Sequence, residues 1–169
     1  GTEGDYFYLL RHGKSVVFRE TPFNREGIKL AELSVGDTFG EEALISESRR
    51  NATVKMLTDG AVMRLAKEDF KTLLNEPILN WVTLEEADRI IEEGGQWLDV
   101  RLPKEFELHH KEDAINIPLY FIRLKLNTLE KERKYVICCD TGRRSSAGAY
   151  ILSERGFQAF VLTNGIDGP

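Results

Sequence analysis

Beyond residue 82 the chain alternates short apolar runs with stretches of helical spacing, and that alternation restricts this half to a parallel sheet covered by helices on both faces. Thr83 with Glu86 forms a capping box that opens a helix over Leu84 to Glu93, closed by Gly94-Gly95. Trp97 to Val100, Ala114 to Ile117, Tyr135 to Cys139 and Ala159 to Leu162 read as strands. Between them lie helical stretches at Pro103 to Leu108, around Tyr120 to Leu129, and at Ser145 to Leu152. Residues 1–75 are different, with short strands broken by glycines. Tyr6 to Leu10 and Ser15 to Phe18, joined at His12-Gly13, read as a hairpin. Ile28 to Leu33 leads to a turn at Val35-Gly36-Asp37, and Asn51 to Met56 and Ala61 to Leu65 are further strands. Lys67 to Leu74 carries Phe70, Leu73 and Leu74 at helical spacing. The expected organisation is an all-β module over 1–75, a linker over 76–82 and an α/β domain over 83–169.

The run Cys139-Asp140-Thr141-Gly142-Arg143-Arg144-Ser145-Ser146 carries the most chemistry. A thiol at the tip of a buried strand, followed by a tight turn and a helix N-terminus, is a setting that favours thiolate. Unpaired N–H groups, the helix dipole and flanking guanidinium groups all act in that direction. The same amides would bind an anionic substrate. A cysteine ending a strand is more often a small buried hydrophobe. Here Gly142, which permits unusual backbone angles, and two adjacent arginines favour the reactive reading. Strand alternation points Cys138 to the opposite face, where the bland reading holds. Because open α/β sheets place their sites at the carboxyl ends of strands, Cys139 is well placed.

The balance of 23 basic against 28 acidic residues, net −5, argues against nonspecific nucleic-acid binding. No apolar run approaches the roughly 18 residues that a membrane helix needs. Adjacent cysteines are a poor disulfide pair, and so little cysteine makes a reducing cytoplasm the default compartment. No Cys/His cluster has metal spacing.

Residues 82–169 resemble the rhodanese-like domain family. Cys139 to Ser145 fits the family's Cys-x-x-Gly-x-Arg-Ser loop, Trp97-Leu98-Asp99-Val100-Arg101 fits its Asp-Val-Arg strand, and Ala114-Ile115-Asn116-Ile117-Pro118 fits its Ala-x-Asn-Ile-Pro segment. Gly156-Phe157 to Leu162, then Gly165, matches the closing strand. The resemblance implies a sulfurtransferase in which Cys139 and Arg144 are catalytic. Cys139 would take a sulfane sulfur from thiosulfate or a similar donor as a persulfide and pass it to cyanide or a thiol. The amides from Asp140 through Thr141, Gly142 and Arg143 to Ser145 would cradle the persulfide and the donor. Arg144 would hold the loop's shape, and Arg143 would face solvent and attract an anionic donor. Asp99 and Arg101 are expected as a buried pair supporting the loop, and no cofactor is implied for catalysis. His109 to Asp113 departs from the family's Gly-His-Ile-Pro-Gly, and Asn164 replaces the first of two common glycines. The chain stops before the family's usual final aromatic residue and helix, so one flank of the sheet is expected to be incomplete.

Residues 1–75 resemble the later portion of a cyclic-nucleotide-binding domain, a jelly-roll-like β-roll. Phe39-Gly40-Glu41-Glu42-Ala43-Leu44 and Arg49-Arg50-Asn51-Ala52-Thr53-Val54 fit that family's phosphate-binding cassette. The resemblance implies cAMP or cGMP as a regulatory ligand held by Gly40, Glu41, Glu42, Ala43, Arg50, Asn51 and Ala52. Amides near Gly40 and the Arg50 charge would meet the cyclic phosphate, and Glu41 a ribose hydroxyl. Asn51, where alanine or threonine is frequent, leaves the choice of purine open. The resemblance begins inside the domain, so the chain is expected to be a fragment whose β-roll is cut near its middle. Such a roll exposes apolar surface and is expected either to form a homodimer or to lean on the second half. Nucleotide binding by this fragment is expected to be weak or absent.

Two other readings stay open. Counted from Cys138, the spacing to Arg144 is Cys-x5-Arg, the spacing of a cysteine-dependent phosphatase; counted from Cys139 it is the shorter sulfurtransferase loop. The third reading is a regulatory module in which both halves bind without catalysis.

Overall fold

The computed structural model describes residues 1–21 and 24–166, which divide into two compact units, Gly1–Leu74 and Asn75–Pro169. The ends of the chain beyond Ile166, including Pro169, lie outside the described residues.

The first unit holds β1 (Tyr6–His12), β2 (Ser15–Thr21), β3 (Asn24–Leu33), β4 (Thr38–Phe39), α1 (Glu41–Ile45), β5 (Thr53–Met56), β6 (Ala61–Ala66) and α2 (Lys67–Phe70). Its strands form two three-stranded antiparallel sheets, in the orders β4-β1-β6 and β3-β2-β5. This arrangement fits a cyclic-nucleotide-binding β-roll. The hairpin expected at His12-Gly13 does not form, because β1 and β2 belong to different sheets. Gly13 serves instead to let the chain cross between them. Its φ is +88°, and a Cβ there would lie 2.6 Å from the Asp59 carbonyl oxygen, so it is packed against the 58–60 turn. Phe7, Leu10, Val17, Leu30, Leu33, Leu44 and Phe70 are buried, and Phe7 stacks on Phe70 at 4.6 Å. The helix expected over Lys67 to Leu74 changes geometry after Phe70 into a π-helical turn, Lys71–Asn75. The wider turn breaks the helical spacing, and Leu73 is exposed. Met56, Leu57, Val62 and Met63 are exposed as well.

The second unit holds α3 (Glu76–Ile78), β7 (Asn80–Val82), α4 (Leu84–Glu92), β8 (Gln96–Asp99), α5 (Pro103–Leu108), β9 (Ile115–Asn116), α6 (Ile122–Lys125), β10 (Lys134–Cys138), α7 (Arg143–Glu154) and β11 (Gln158–Leu162). Its five strands are all parallel, in the order β7-β11-β10-β8-β9. Part of the segment expected to be linker is therefore sheet: Asn80–Val82 pairs with β11 as the edge strand. The stretch around Tyr120 is one turn of α-helix flanked by 3-10 turns, Leu119–Phe121 and Leu126–Thr128, rather than one helix.

Alternation along β10 separates the two faces. Val136 and Cys138 pack with Val82, Ala87, Trp97, Leu162 and Ile166, with Ile90 and Ile91 of α4 against them. Ile137 faces the other way, toward α7 and α6. A Cβ on Gly148 of α7 would sit 3.2 Å from Val100, 3.4 Å from Ile122 and 3.4 Å from Ile137, so this glycine brings the helix close to the sheet. α7 is buried from Ser145 through Leu152, as a helix enclosed on most sides must be. Among the described residues no helix is long and apolar enough to cross a membrane.

The Thr83–Glu86 capping box forms as the sequence indicates, with Thr83 N–H donating to Glu86 at 2.8 Å and Glu86 N–H donating to Thr83 Oγ1 at 3.3 Å. Thr83→Ala is expected to lower stability by about 1 kcal/mol. Ile137→Ala, which opens a cavity beneath α7, is expected to cost about 2–5 kcal/mol. Urea denaturation of the two variants measures both.

Candidate active site

The carbonyl of the last residue of β10 and that of the residue after it are both engaged. Cys138 C=O accepts Val100 N–H at 3.1 Å, and Cys139 C=O accepts Ile166 N–H at 2.8 Å. The chain then turns at Gly142, whose φ of +86° is left-handed, and enters α7. The helix begins at Arg143, two residues before its expected start, so both arginines lie in its first turn. The turn folds the backbone back over the thiol. Gly142 N–H donates to Cys139 Sγ at 3.1 Å, Ser145 N–H at 3.4 Å, and Ser145 Oγ lies 3.4 Å away. Ser145 and Ser146 hydroxyls donate to Gly142 C=O at 3.0 and 2.5 Å. Cys139 itself is fully buried. The sulfur therefore sits under amide donors at the N-terminus of a twelve-residue helix.

Cys138 occupies the opposite face, where burial pushes its thiol far up and the nearby Asp99 charge adds to the effect. Cys138 is thus packed as part of the core.

The other expected residues fall around the loop. Asp140 Oδ1 takes Thr141 N–H at 2.9 Å, so that amide is directed to a neighbouring carboxylate rather than to sulfur. Arg143 is exposed. Arg144 donates through both terminal nitrogens to Glu105, each at 2.7 Å, and reaches Asp140 at 3.0 Å. Asp99 and Arg101 form a buried pair. Arg101 Nε lies 3.0 Å from each carboxylate oxygen, Nη2 is 2.6 Å from Oδ2, and Arg101 N–H donates to Oδ1 at 2.9 Å.

Two residues at the loop escaped the sequence reading. Glu105 lies in the first turn of α5, where its carboxylate accepts Leu102 N–H at 2.9 Å. Trp81 lay in the segment read as linker. Its ring packs on Gly142, 3.5 Å from where a Cβ would stand, and the residue is 51% exposed.

In the first unit, Gly40 precedes α1 with a φ of +92°. Arg50 donates to the carbonyls of Gly40 and Tyr6, both at 2.5 Å, and its guanidinium lies 5.9 Å from the Tyr8 ring centroid. Asn51 donates to the Glu42 carboxylate. Glu41 and Ala43 are buried, and Arg50 and Ala52 are half-buried.

Glu105 and Asp140 both titrate below the ordinary carboxylate range. For Glu105 the leading cause is the Arg144 hydrogen bond. For Asp140 partial burial acts upward and is outweighed by the Arg144 hydrogen bond and charge together with Thr141 N–H. Depressed native values mean that this stabilisation is fully present above the unfolded-state values, about pH 4, and is lost as pH falls through the native ones. The thermal-melt advantage of wild type over Glu105→Gln is expected to be constant from neutral pH to about pH 5 and to vanish on further acidification. A melt series over pH checks this.

The family model for the Rhodanese-like domain matches residues 83–168, and that for the Cyclic nucleotide-binding domain matches residues 1–76. The chain is 36% identical to the thiosulfate sulfurtransferase PspE of Escherichia coli over 63 residues, covering 36% of this chain and 61% of that protein. It is 40% identical to the cGMP-dependent protein kinase, isozyme 1, of Drosophila melanogaster over 78 residues, covering 45% of this chain but 10% of the kinase. A Rhodanese-like Domain Protein of Staphylococcus aureus superposes with a TM-score of 0.50 at 27% identity, over 53% of this chain and 90% of that one. The chain spans less than two thirds of either of these curated relatives. With a rhodanese-like α/β fold in its second half and a cyclic-nucleotide-binding domain in its first, the chain belongs to the rhodanese-like domain family.

Proposed function

We propose that the second unit is a sulfurtransferase with Cys139 as its nucleophile. The observation that carries this reading is the pair of amides, Gly142 and Ser145, donating to Cys139 Sγ at the start of α7. The Cys139 thiolate attacks the outer, sulfane sulfur of thiosulfate. The sulfur–sulfur bond of the donor breaks, sulfite leaves with the bonding electrons, and Cys139 carries a persulfide. Cyanide or a thiolate then attacks the terminal sulfur, releasing thiocyanate or a new persulfide and restoring the Cys139 thiolate. The loop amides hold the negative charge on sulfur through both steps. Arg143, exposed beside them, draws in the anionic donor, and Arg144 keeps the loop in shape. Two free thiols suit a reducing compartment such as the cytoplasm.

The phosphatase reading requires Cys138 as nucleophile. Its apolar surroundings and its raised thiol argue against that role. Cys139→Ser is expected to abolish thiocyanate formation from thiosulfate and cyanide and to remove the mass gain of one sulfur atom. Cys138→Ala should retain most of the rate. Loss of turnover in Cys138→Ala alone, with Cys139→Ser active, would overturn the assignment.

The first unit is proposed to bind a cyclic nucleotide, with Gly40, Glu41 and Arg50 at its phosphate and ribose, and to regulate sulfur transfer. Arg50 is held by two backbone carbonyls, so an incoming phosphate has to compete for its guanidinium. Calorimetry with cAMP and cGMP should therefore give only weak binding to this chain. Micromolar binding by this chain contradicts that expectation.

A further inference from the structure

We propose that Glu105 is a positioning residue for the nucleophile loop, acting through Arg144. Asp140 and Arg144 bracket Gly142, the residue whose amide reaches the sulfur, and are joined across the loop at 3.0 Å. Glu105, on α5, receives both terminal nitrogens of Arg144 in a two-pronged contact. That geometry ties the first turn of α7 to a helix 39 residues earlier in the chain. The same carboxylate accepts Leu102 N–H and so is itself fixed at the start of α5. Bidentate arginine–carboxylate pairs are stiff as well as strong. The Arg144 and Glu105 side chains are only 27% and 34% exposed, which keeps their contact from the screening that weakens surface pairs.

Two consequences follow for the site. Arg144 has both terminal nitrogens engaged, so it is not the group that binds the donor anion; its role is to hold Gly142 and Ser145 in register with Cys139 Sγ. And Glu105 does more than cap a helix. Removing its charge should be felt at the loop amides, although it touches neither substrate nor sulfur.

The experiment compares Glu105→Gln, Arg144→Gln and the double variant in the whole chain. Glu105→Gln keeps a carbonyl oxygen for Leu102 N–H and loses the charge, whereas Arg144→Gln leaves the cap intact. Amide resonances of Gly142 and Ser145 are expected to shift in both single variants, with hydrogen exchange at these two sites about tenfold faster. The double variant should be no worse than either single one, as for two members of one contact. Glu105→Asp should recover part of the protection. The kinetic arm, which alone rests on the sulfurtransferase reading, should show kcat down about tenfold with the KM for thiosulfate within about twofold of wild type. If only the Leu102 amide responds, or if the two substitutions add, Glu105 is a cap and the proposal fails. A raised KM at unchanged kcat also overturns it, since that would place Arg144 on the donor. A wild-type protein that transfers no sulfur would defeat the proposed function, and the amide measurements would still decide the role of Glu105.

Discussion

The site depends on how β10 ends. A buried parallel strand has neighbours on both sides, and here its last carbonyl and the one after it are each taken by a different flank: Cys138 by Val100 beyond β8, and Cys139 by Ile166 beyond β11. The direction in which the chain leaves the sheet is thereby fixed. Gly165 makes this tighter. A Cβ at that position would stand 2.0 Å from the Asp140 carbonyl oxygen, so the closing segment can lie against the loop only as glycine. With its exit fixed, the loop needs one left-handed residue to turn into α7, and Gly142 provides it.

The charges around the loop divide by burial. Asp99 and Arg101 are almost entirely inside, where an ion pair is tolerated only if its hydrogen-bonding groups are satisfied. Arg101 also donates to the His109 carbonyl at 2.6 Å, and Asn116 donates to the carbonyls of both Asp99 and Arg101 at 3.0 Å. This network explains how His109 to Asp113 turns without the family's glycine and proline. The His109 carbonyl is held from inside, Ala114 N–H closes a turn onto Lys111 C=O at 3.1 Å, and Asp113 takes the left-handed conformation at φ 56°. Aspartate is one of the few residues that visit this region at modest cost. Asn164, at φ 63° in place of another common glycine, is accommodated for the same reason.

Much of the second unit was legible because its signals are local: the capping box at Thr83, the apolar run Tyr135 to Cys138 in β10, and the loop itself. What was missed depends on contacts distant in sequence. Nothing in Asn80-Trp81-Val82 distinguishes a linker from an edge strand; only pairing with β11 does so. Glu105 reads as an ordinary first-turn acid until Arg144 is folded beside it. In the first unit, alternating residues around a glycine look alike whether two strands pair with each other or enter different sheets. The decision rests with β6 and β5, which pair with β1 and β2 respectively. The π-helical turn after Phe70 likewise carries no sequence mark that helical spacing would reveal.

Gly40 and Gly142 show how one backbone device reaches two chemical outcomes. Each is left-handed, and each immediately precedes a helix. At Gly142 the N–H is directed to a thiol from the same chain, so the group that the helix start meets is built into the protein. At Gly40 the contact runs through the carbonyl, which accepts the Arg50 guanidinium, and a Cβ there would stand 2.8 Å from that group. The first arrangement presents a backbone donor to a sulfur, whereas the second presents a backbone acceptor to a guanidinium. The proposed division of labour between the two halves rests on which side chain stands beside each glycine, a thiol at Gly142 and a guanidinium at Gly40.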